Sequence, residues 1–402
     1  MRKLLVAMLV LVGLLAGCQA KKGEFGTRNM VTRSALSQAD LDHYWHLKIS
    51  LPRLERMGRM YLLGDCLYVL TSRQRLLCVD ANTGVWKWSA TISERRIPMY
   101  DPIHADGLVL PDPRSETREP KPFDVVMVGT LTDLVILDRV TGQQLKQIAL
   151  PYPAMGTGAT DGTYFYYGSN RPWYHAIDLT SGLTVWGLPA DGAITAPLQF
   201  FEGVLYVTTE AGTAYATAVG ARGQTLWTSR EQQSVTMHGP VTAASYVDQR
   251  GLFVPCEDNR LYAYDRSTGR PLWSPLVCQG PLREPVQASA QSLFQHVLRD
   301  RFYAADVATG TTRWTLPTGQ KVLAMISEAG SSKACVLDAD NNLLVVDEVL
   351  GQTDATVPMT GLDLFVGNTA TAAIYAGTAN GHLVCIRPRS AGRLMPAQTP
   401  AQ

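Results

Sequence analysis

The chain has 402 residues, enough for two or three average domains or for one large all-β domain. Its 36 Lys and Arg offset 35 Asp and Glu to a formal charge of +1, so it lacks the basic excess that a nucleic-acid phosphate backbone requires. Hydrophobic residues make up 46% and charged residues 18%, which excludes a mostly disordered chain.

The N-terminus reads as an export signal. Met1-Arg2-Lys3 precedes an apolar run from Leu4 to Leu15. That run is shorter than the roughly 20 residues needed to span a bilayer and matches the hydrophobic region of a signal peptide. Leu15-Ala16-Gly17-Cys18 resembles a bacterial lipobox. By that resemblance residues 1–17 are removed, and Cys18 becomes an acylated first residue whose several chains anchor it stably. Gln19, where an inner-membrane retention signal in enteric bacteria has Asp, points to the outer membrane. Residues 18–42 then form a lipidated, flexible tether. Six further cysteines show no CxxC, CxxCH or adjacent pair and read mostly as small buried hydrophobes, with Cys256–Cys278 the least implausible bridge among them.

An internal repeat dominates the remainder. Leu67–Gly84 reads as a strand, a tight turn, a second strand and an Asp-x-x-x-Gly turn. The frame returns at Val125–Gly142, Phe165–Gly182, Leu252–Gly269, Leu293–Gly310 and Ala334–Gly351, with degenerate copies at Leu205–Gly223 and Ile374–Gly392. The turn residues are Asp80 and Gly84, Asp138 and Gly142, Asp178 and Gly182, Asp265 and Gly269, Asp306 and Gly310, and Asp347 and Gly351. An Asp carboxylate closes such a turn on the following backbone N–H groups, and the glycine supplies a positive φ. Four residues after the glycine stand Trp88, Trp186, Trp227, Trp273 and Trp314, whereas Lys146 and Ala355 break the pattern. An aromatic at a fixed place in each unit is expected to wedge neighbouring repeats together.

A period near 41 residues with four strands per unit predicts a β-propeller. The Asp-x-x-Thr-Gly-x-x-x-Trp turns resemble the tryptophan-docking motif of the PQQ-like (quinoprotein-type) propeller family. The expected fold is all-β: an eight-bladed propeller of four-stranded antiparallel blades over residues 43–388. Tyr44–Leu51, which contains Trp45, has no hairpin before it, and the eighth copy lacks a fourth strand; this segment is expected to close the ring. Residues 389–402 are expected to form a disordered tail. Thr91–Phe123 exceeds the repeat length, and most of it is expected to loop out of its blade; its Arg95, Arg96, Arg114, Arg118 and Lys121 are the candidate partner-binding residues.

Catalytic signals are sparse. Quinoprotein dehydrogenases of this family carry an adjacent Cys-Cys pair, a calcium site and an aspartate base, and no Cys-Cys pair or calcium constellation is identifiable here. Asp338-Ala339-Asp340-Asn341-Asn342 lacks the glycine and glutamate of a calcium loop. The reading is therefore of a non-enzyme with no cofactor, no metal and no nucleic acid. Lipobox, eight copies and mature length resemble the BamB-type lipoproteins of the outer-membrane barrel-assembly machinery. That resemblance implies a periplasm-facing scaffold for protein partners, although the Leu-Arg-Gly and Asp-Val-Asp partner loops of that group are unmatched and Leu282-Arg283-Glu284 is the nearest segment. A PQQ-dependent oxidoreductase and a propeller binding a small molecule or glycan remain as alternatives, as does an inner-membrane or surface-exposed location.

Overall fold

The computed structural model describes residues 30–391, apart from 113–115, 118, 232–234 and 329. Cys18 and the signal segment lie outside the described residues. Eight four-stranded antiparallel sheets follow one another around a ring. Blade 1 is built from β2 (Met57–Leu63), β3 (Cys66–Thr71), β4 (Arg75–Asp80) and β5 (Trp86–Thr91). The first strands of successive blades contact one another, so they line the axis and the fourth strands form the rim. Each sheet buries both faces against its neighbours, which explains why strands such as Cys66–Thr71 and Gly251–Cys256 are buried throughout rather than alternating.

The ring is closed by the N-terminal strand. β1 (Leu41–Lys48) pairs with His382–Pro388 as the fourth strand of blade 8, running from Leu41 opposite Pro388 to Lys48 opposite His382. Closure joins segments more than 300 residues apart and gives the last blade the fourth strand that its own repeat lacks.

Two sequence expectations need correction. The polar tether does not extend to residue 42, because helix α1 (Arg33–Gln38) precedes β1, with Thr32 as its N-cap accepting from the Ala35 N–H at 3.3 Å. Val31 and Leu36 are buried in one cluster with Leu41, Val357, Met359 and Leu362, and Ala355 packs against it. Ala355 stands where other blades carry a docking tryptophan, and α1 straps across that seam. A helix of six residues has no lasting stability alone, so packing holds it. The second correction concerns Cys256 and Cys278. They belong to different hydrophobic clusters on opposite faces of blade 5, and all six described cysteines are free. At the other end, Arg389–Ala391 forms a short 3-10 turn, with the Arg389 N–H donating to the Asp40 carbonyl at 3.0 Å, and the rest of the tail lies outside the described residues.

Candidate functional site: the seams and the blade-two insertion

The repeated turn is a small hydrogen-bonded unit. The Asp80 carboxylate accepts from the N–H groups of Asn82 and Thr83 at 3.1 and 2.9 Å, and Asp138, Asp265, Asp306 and Asp347 do the same for the residues two and three further on. Asp178 accepts from Ser181 N–H at 2.5 Å. Burial opposes ionisation of Asp80, but donors from Thr83 and Lys87 outweigh it and hold the carboxyl below its usual range. Gly84, Gly142, Gly182, Gly269, Gly310 and Gly351 all have φ between +69° and +79°.

Each docking tryptophan covers the turn of the next blade. The indole N–H of Trp45 donates to the Ala81 carbonyl at 2.9 Å, Trp88 to Arg139 at 2.9 Å, Trp186 to Gly220 at 2.9 Å and Trp227 to Arg266 at 3.0 Å. Trp273 reaches Val307 at 3.3 Å and Trp314 reaches Glu348 at 2.8 Å. The ring then lies flat on the turn glycine: a Cβ at Gly142 would stand 2.4 Å from the Trp88 ring, and one at Gly310 2.4 Å from Trp273. Glycine is thus required twice, by conformation and by the indole above it. Seven fourth strands carry a bulge at this point, and in β1 the extra residue is Tyr44, just before Trp45. Lys87 is the extra residue between Val79 opposite Trp86 and Cys78 opposite Trp88, and Leu145, Val185, Leu226, Arg313 and Asp354 occupy the same place. A one-residue bulge re-aims the side chain that follows it, here toward the next blade. In blade 2 that side chain is Lys146, whose ammonium donates to the Leu179 and Thr180 carbonyls at 3.2 and 2.6 Å in the indole's stead.

The blade-two insertion differs from expectation. Most of it does not loop out: β6 (Ile103–Pro111) and β7 (Pro120–Gly129) form a long hairpin continuous with the blade. β8 (Asp133–Asp138) and β9 (Gln144–Ala149) complete that sheet. The insertion is therefore divided between opposite faces of the disc. The hairpin tip rises on the face that carries the Asp-x-x-x-Gly turns. Arg95 and Arg96 lie at the other end of the sheet, where the Leu131 N–H donates to the Pro98 carbonyl at 3.2 Å and the Tyr100 hydroxyl to the Ala154 carbonyl at 2.6 Å. Both arginines are exposed and have no ion-pair partner among the described residues. Arg114 and Arg118 lie outside the described residues. Lys121 is not free for a partner: it ion-pairs with Asp112 and lies 4.9 Å from the Phe123 ring centre.

The hairpin base is pinned by a network that sequence reading missed. Arg139 pairs with Asp106 at 2.8 Å and Asp124 at 3.0 Å and contacts His104 Nδ1 at 3.2 Å, while the other ring nitrogen of His104 is 2.9 Å from the Tyr68 hydroxyl of blade 1. Burial, reinforced by the Arg139 guanidinium, pushes His104 down to about 4. Nothing in one-dimensional spacing announces this cluster, because four separate strands and turns contribute to it.

Among the described residues no group of three or more His, Cys, Asp or Glu is placed to hold a metal. The six free thiols are buried and distributed over blades 1, 5, 7 and 8. A quinone lying on a vicinal disulfide and a calcium ion therefore has no fitting donor set in these residues.

A family model described as "Outer membrane protein assembly factor BamB" matches residues 132–277 and 213–401. The chain belongs to this family. Overlap of the two matches reflects the repeat, since one blade resembles the next. Among solved structures, BamB from Moraxella catarrhalis is similar at a TM-score of 0.61 and 16% identity, covering 86% of this chain and 97% of that one. The computationally designed Ika8 protein is similar at a TM-score of 0.60 and 14% identity, covering 86% of this chain and 100% of its own. At such identities the likeness is one of fold, and a designed protein sharing it shows that the ring needs no particular function to form. None of the curated proteins matches the chain.

Proposed function

We propose that this BamB-family propeller is a lipid-anchored, non-enzymatic scaffold of the bacterial envelope, tethered through Cys18 to the outer membrane and facing the periplasm, where it holds protein partners for the assembly of outer-membrane β-barrel proteins. The observation that carries the reading is family membership across residues 132–401. The lipobox at Leu15–Cys18 supports the anchor, and Gln19 supports the outer membrane. A ring whose seams are locked by indoles presents its loops with little conformational freedom, so little ordering entropy is lost when a partner docks. Arg95 and Arg96, exposed and unpaired, favour an acidic partner surface chiefly by steering the encounter.

Affinity purification of the full chain from envelope membranes, with mass spectrometry of what accompanies it, tests the scaffold role. Recovery of barrel-assembly components is expected, with loss of some of them when Ser93–Pro98 is shortened. Cys18→Ala is expected to leave an unlipidated precursor that stays out of a detergent phase. Reduction of an electron-acceptor dye with an alcohol or sugar in the presence of PQQ and calcium would overturn the non-enzyme reading.

A further inference from the structure

A cavity of about 680 Å³ opens on the turn-bearing face, between the first hairpins of blades 6, 7 and 8 and the Asp347–Leu350 turn. This is the face opposite Arg95 and Arg96. Its lining includes Glu348, Ser289, Ser327, Ser332, Val349 and Leu350. Glu348 is only 2% exposed, yet one carboxylate oxygen accepts only the Ser289 hydroxyl and the other has no hydrogen-bond or ion-pair partner among the described residues. That second oxygen is not among the fully enclosed polar atoms lacking a partner, so it is reached from the cavity.

The ring supplies its own comparison. The residue after the turn Asp of blade 5 is Arg266, which reaches the first hairpin of blade 4 and pairs with Glu202 at 2.7 Å. Glu348 is the corresponding residue of blade 7, and it reaches the first hairpin of blade 6 but meets a serine there. One seam holds a complete ion pair, and the other holds a carboxylate without its cation. Arg250, which approaches Ser289 from blade 5, is engaged by Asp248 and by the carbonyls of Ser289 and Ala290 at 2.6 and 2.8 Å. A nearly buried carboxylate is costly without an opposite charge, so a cation entering the cavity meets a preformed partner.

We propose that this cavity is a binding site for an alkyl ammonium or guanidinium group, with Glu348 as the anion, the hydroxyls of Ser327 and Ser332 as further acceptors, and Val349 and Leu350 as the wall for the alkyl stem. Leu350 is 74% exposed and Val349 47%, so this wall stands ready to cover the methylenes of a long basic side chain. The cation can come from a lysine or arginine of a polypeptide or from a free polyamine.

The full chain in detergent is titrated calorimetrically with acetyl-Leu-Lys-Leu-amide and, separately, with spermidine. Saturable binding is expected, weakened about tenfold or more by Glu348→Gln, since a hydrogen bond to a charged group contributes on the order of 1.5–3 kcal/mol. Gln keeps the shape and can still accept from Ser289; an unchanged melting temperature shows that the variant folds. Leu350→Ser, at an exposed position, is expected to weaken the tripeptide several-fold without touching the seam. Tighter binding of the tripeptide assigns the cation to a polypeptide, and equal or tighter binding of spermidine assigns it to a polyamine. Absence of saturable binding by either probe overturns the site, as does binding that Glu348→Gln leaves intact.

Discussion

Gly142→Ala is expected to damage the ring far more than the same change at Gly182, although both glycines occupy the same turn. Their φ angles are +71° and +79°, so both variants incur the left-handed strain of a β-carbon, about 1 kcal/mol or somewhat more. The surroundings differ. A Cβ at Gly142 would lie 2.4–2.7 Å from three ring atoms of Trp88, whereas at Gly182 the nearest atom is a methyl carbon of Ile148 at 3.6 Å, because Lys146 has replaced the indole. Trp88 is only 5% exposed and tied to the Arg139 carbonyl, so it cannot retreat without opening the seam. Forcing one methyl group into such a place costs on the order of 1–3 kcal/mol. Gly142→Ala should therefore lose about 2–4 kcal/mol and Gly182→Ala about 1 kcal/mol. Urea unfolding followed by fluorescence and circular dichroism gives both values, provided that the two probes coincide. Repeating Gly142→Ala in a Trp88→Ala background completes a cycle in which the excess should vanish. If the two glycine variants differ by less than about 0.5 kcal/mol, the indole is not what excludes the side chain.

Two further outcomes follow from the strap and the pinned hairpin. Leu36→Ala should cost about 2–5 kcal/mol, because the side chain is fully buried against blades 7 and 8, while Arg33→Ala on the exposed side of α1 should stay within about 0.5 kcal/mol; equal effects in urea unfolding would mean that the helix does not hold the seam. His104 titrates near 4 when folded and near 6.5 when unfolded, so the unfolded chain takes up the proton first as pH falls. Its stabilising contribution is complete above about 6.5, declines toward 4 and is level below that. His104→Asn should accordingly flatten the fall in urea midpoint between pH 7 and 5, and an unchanged slope would refute the assignment.

The architecture was legible because a propeller repeats its physics. Asp, Gly and Trp recur at fixed offsets since every seam poses the same problem of a tight turn beneath an indole, and the missing fourth strand of blade 8 pointed to Tyr44–Leu51. What stayed hidden was whatever breaks the repeat. Ala355 reads as a lost tryptophan until α1 is seen lying over it, and the largely polar run after Val31 conceals that Leu36 is buried beside Val31, with Ala35 and Ala39 packed against the same cluster. Lys146 likewise looks like a defect, yet its ammonium meets two carbonyls of the next turn. The insertion misled for a different reason. Its length beyond the repeat suggested a loop, but the excess extends the first hairpin: Pro111 and Pro120 sit opposite each other at its end, and Pro122, opposite Val109, lies beyond the stretch of β7 that pairs with β8. Proline is tolerated at such positions because no ladder donor is lost inward.

That division of the insertion bears on how a scaffold of this kind can work. A single long loop would offer one flexible contact. Here the excess residues build two features at opposite ends of one rigid sheet: an arginine-bearing link beside Leu131 on one face, and a hairpin on the other held by Arg139, His104 and Tyr68. The ten residues of β7 separate them by about 30 Å at the usual rise of a strand. A partner surface that engages Arg95 and Arg96 therefore leaves the turn-bearing face open, together with the cavity around Glu348. The disc can in this way hold an acidic surface on one side and a basic group on the other, with the locked seams fixing the distance between them.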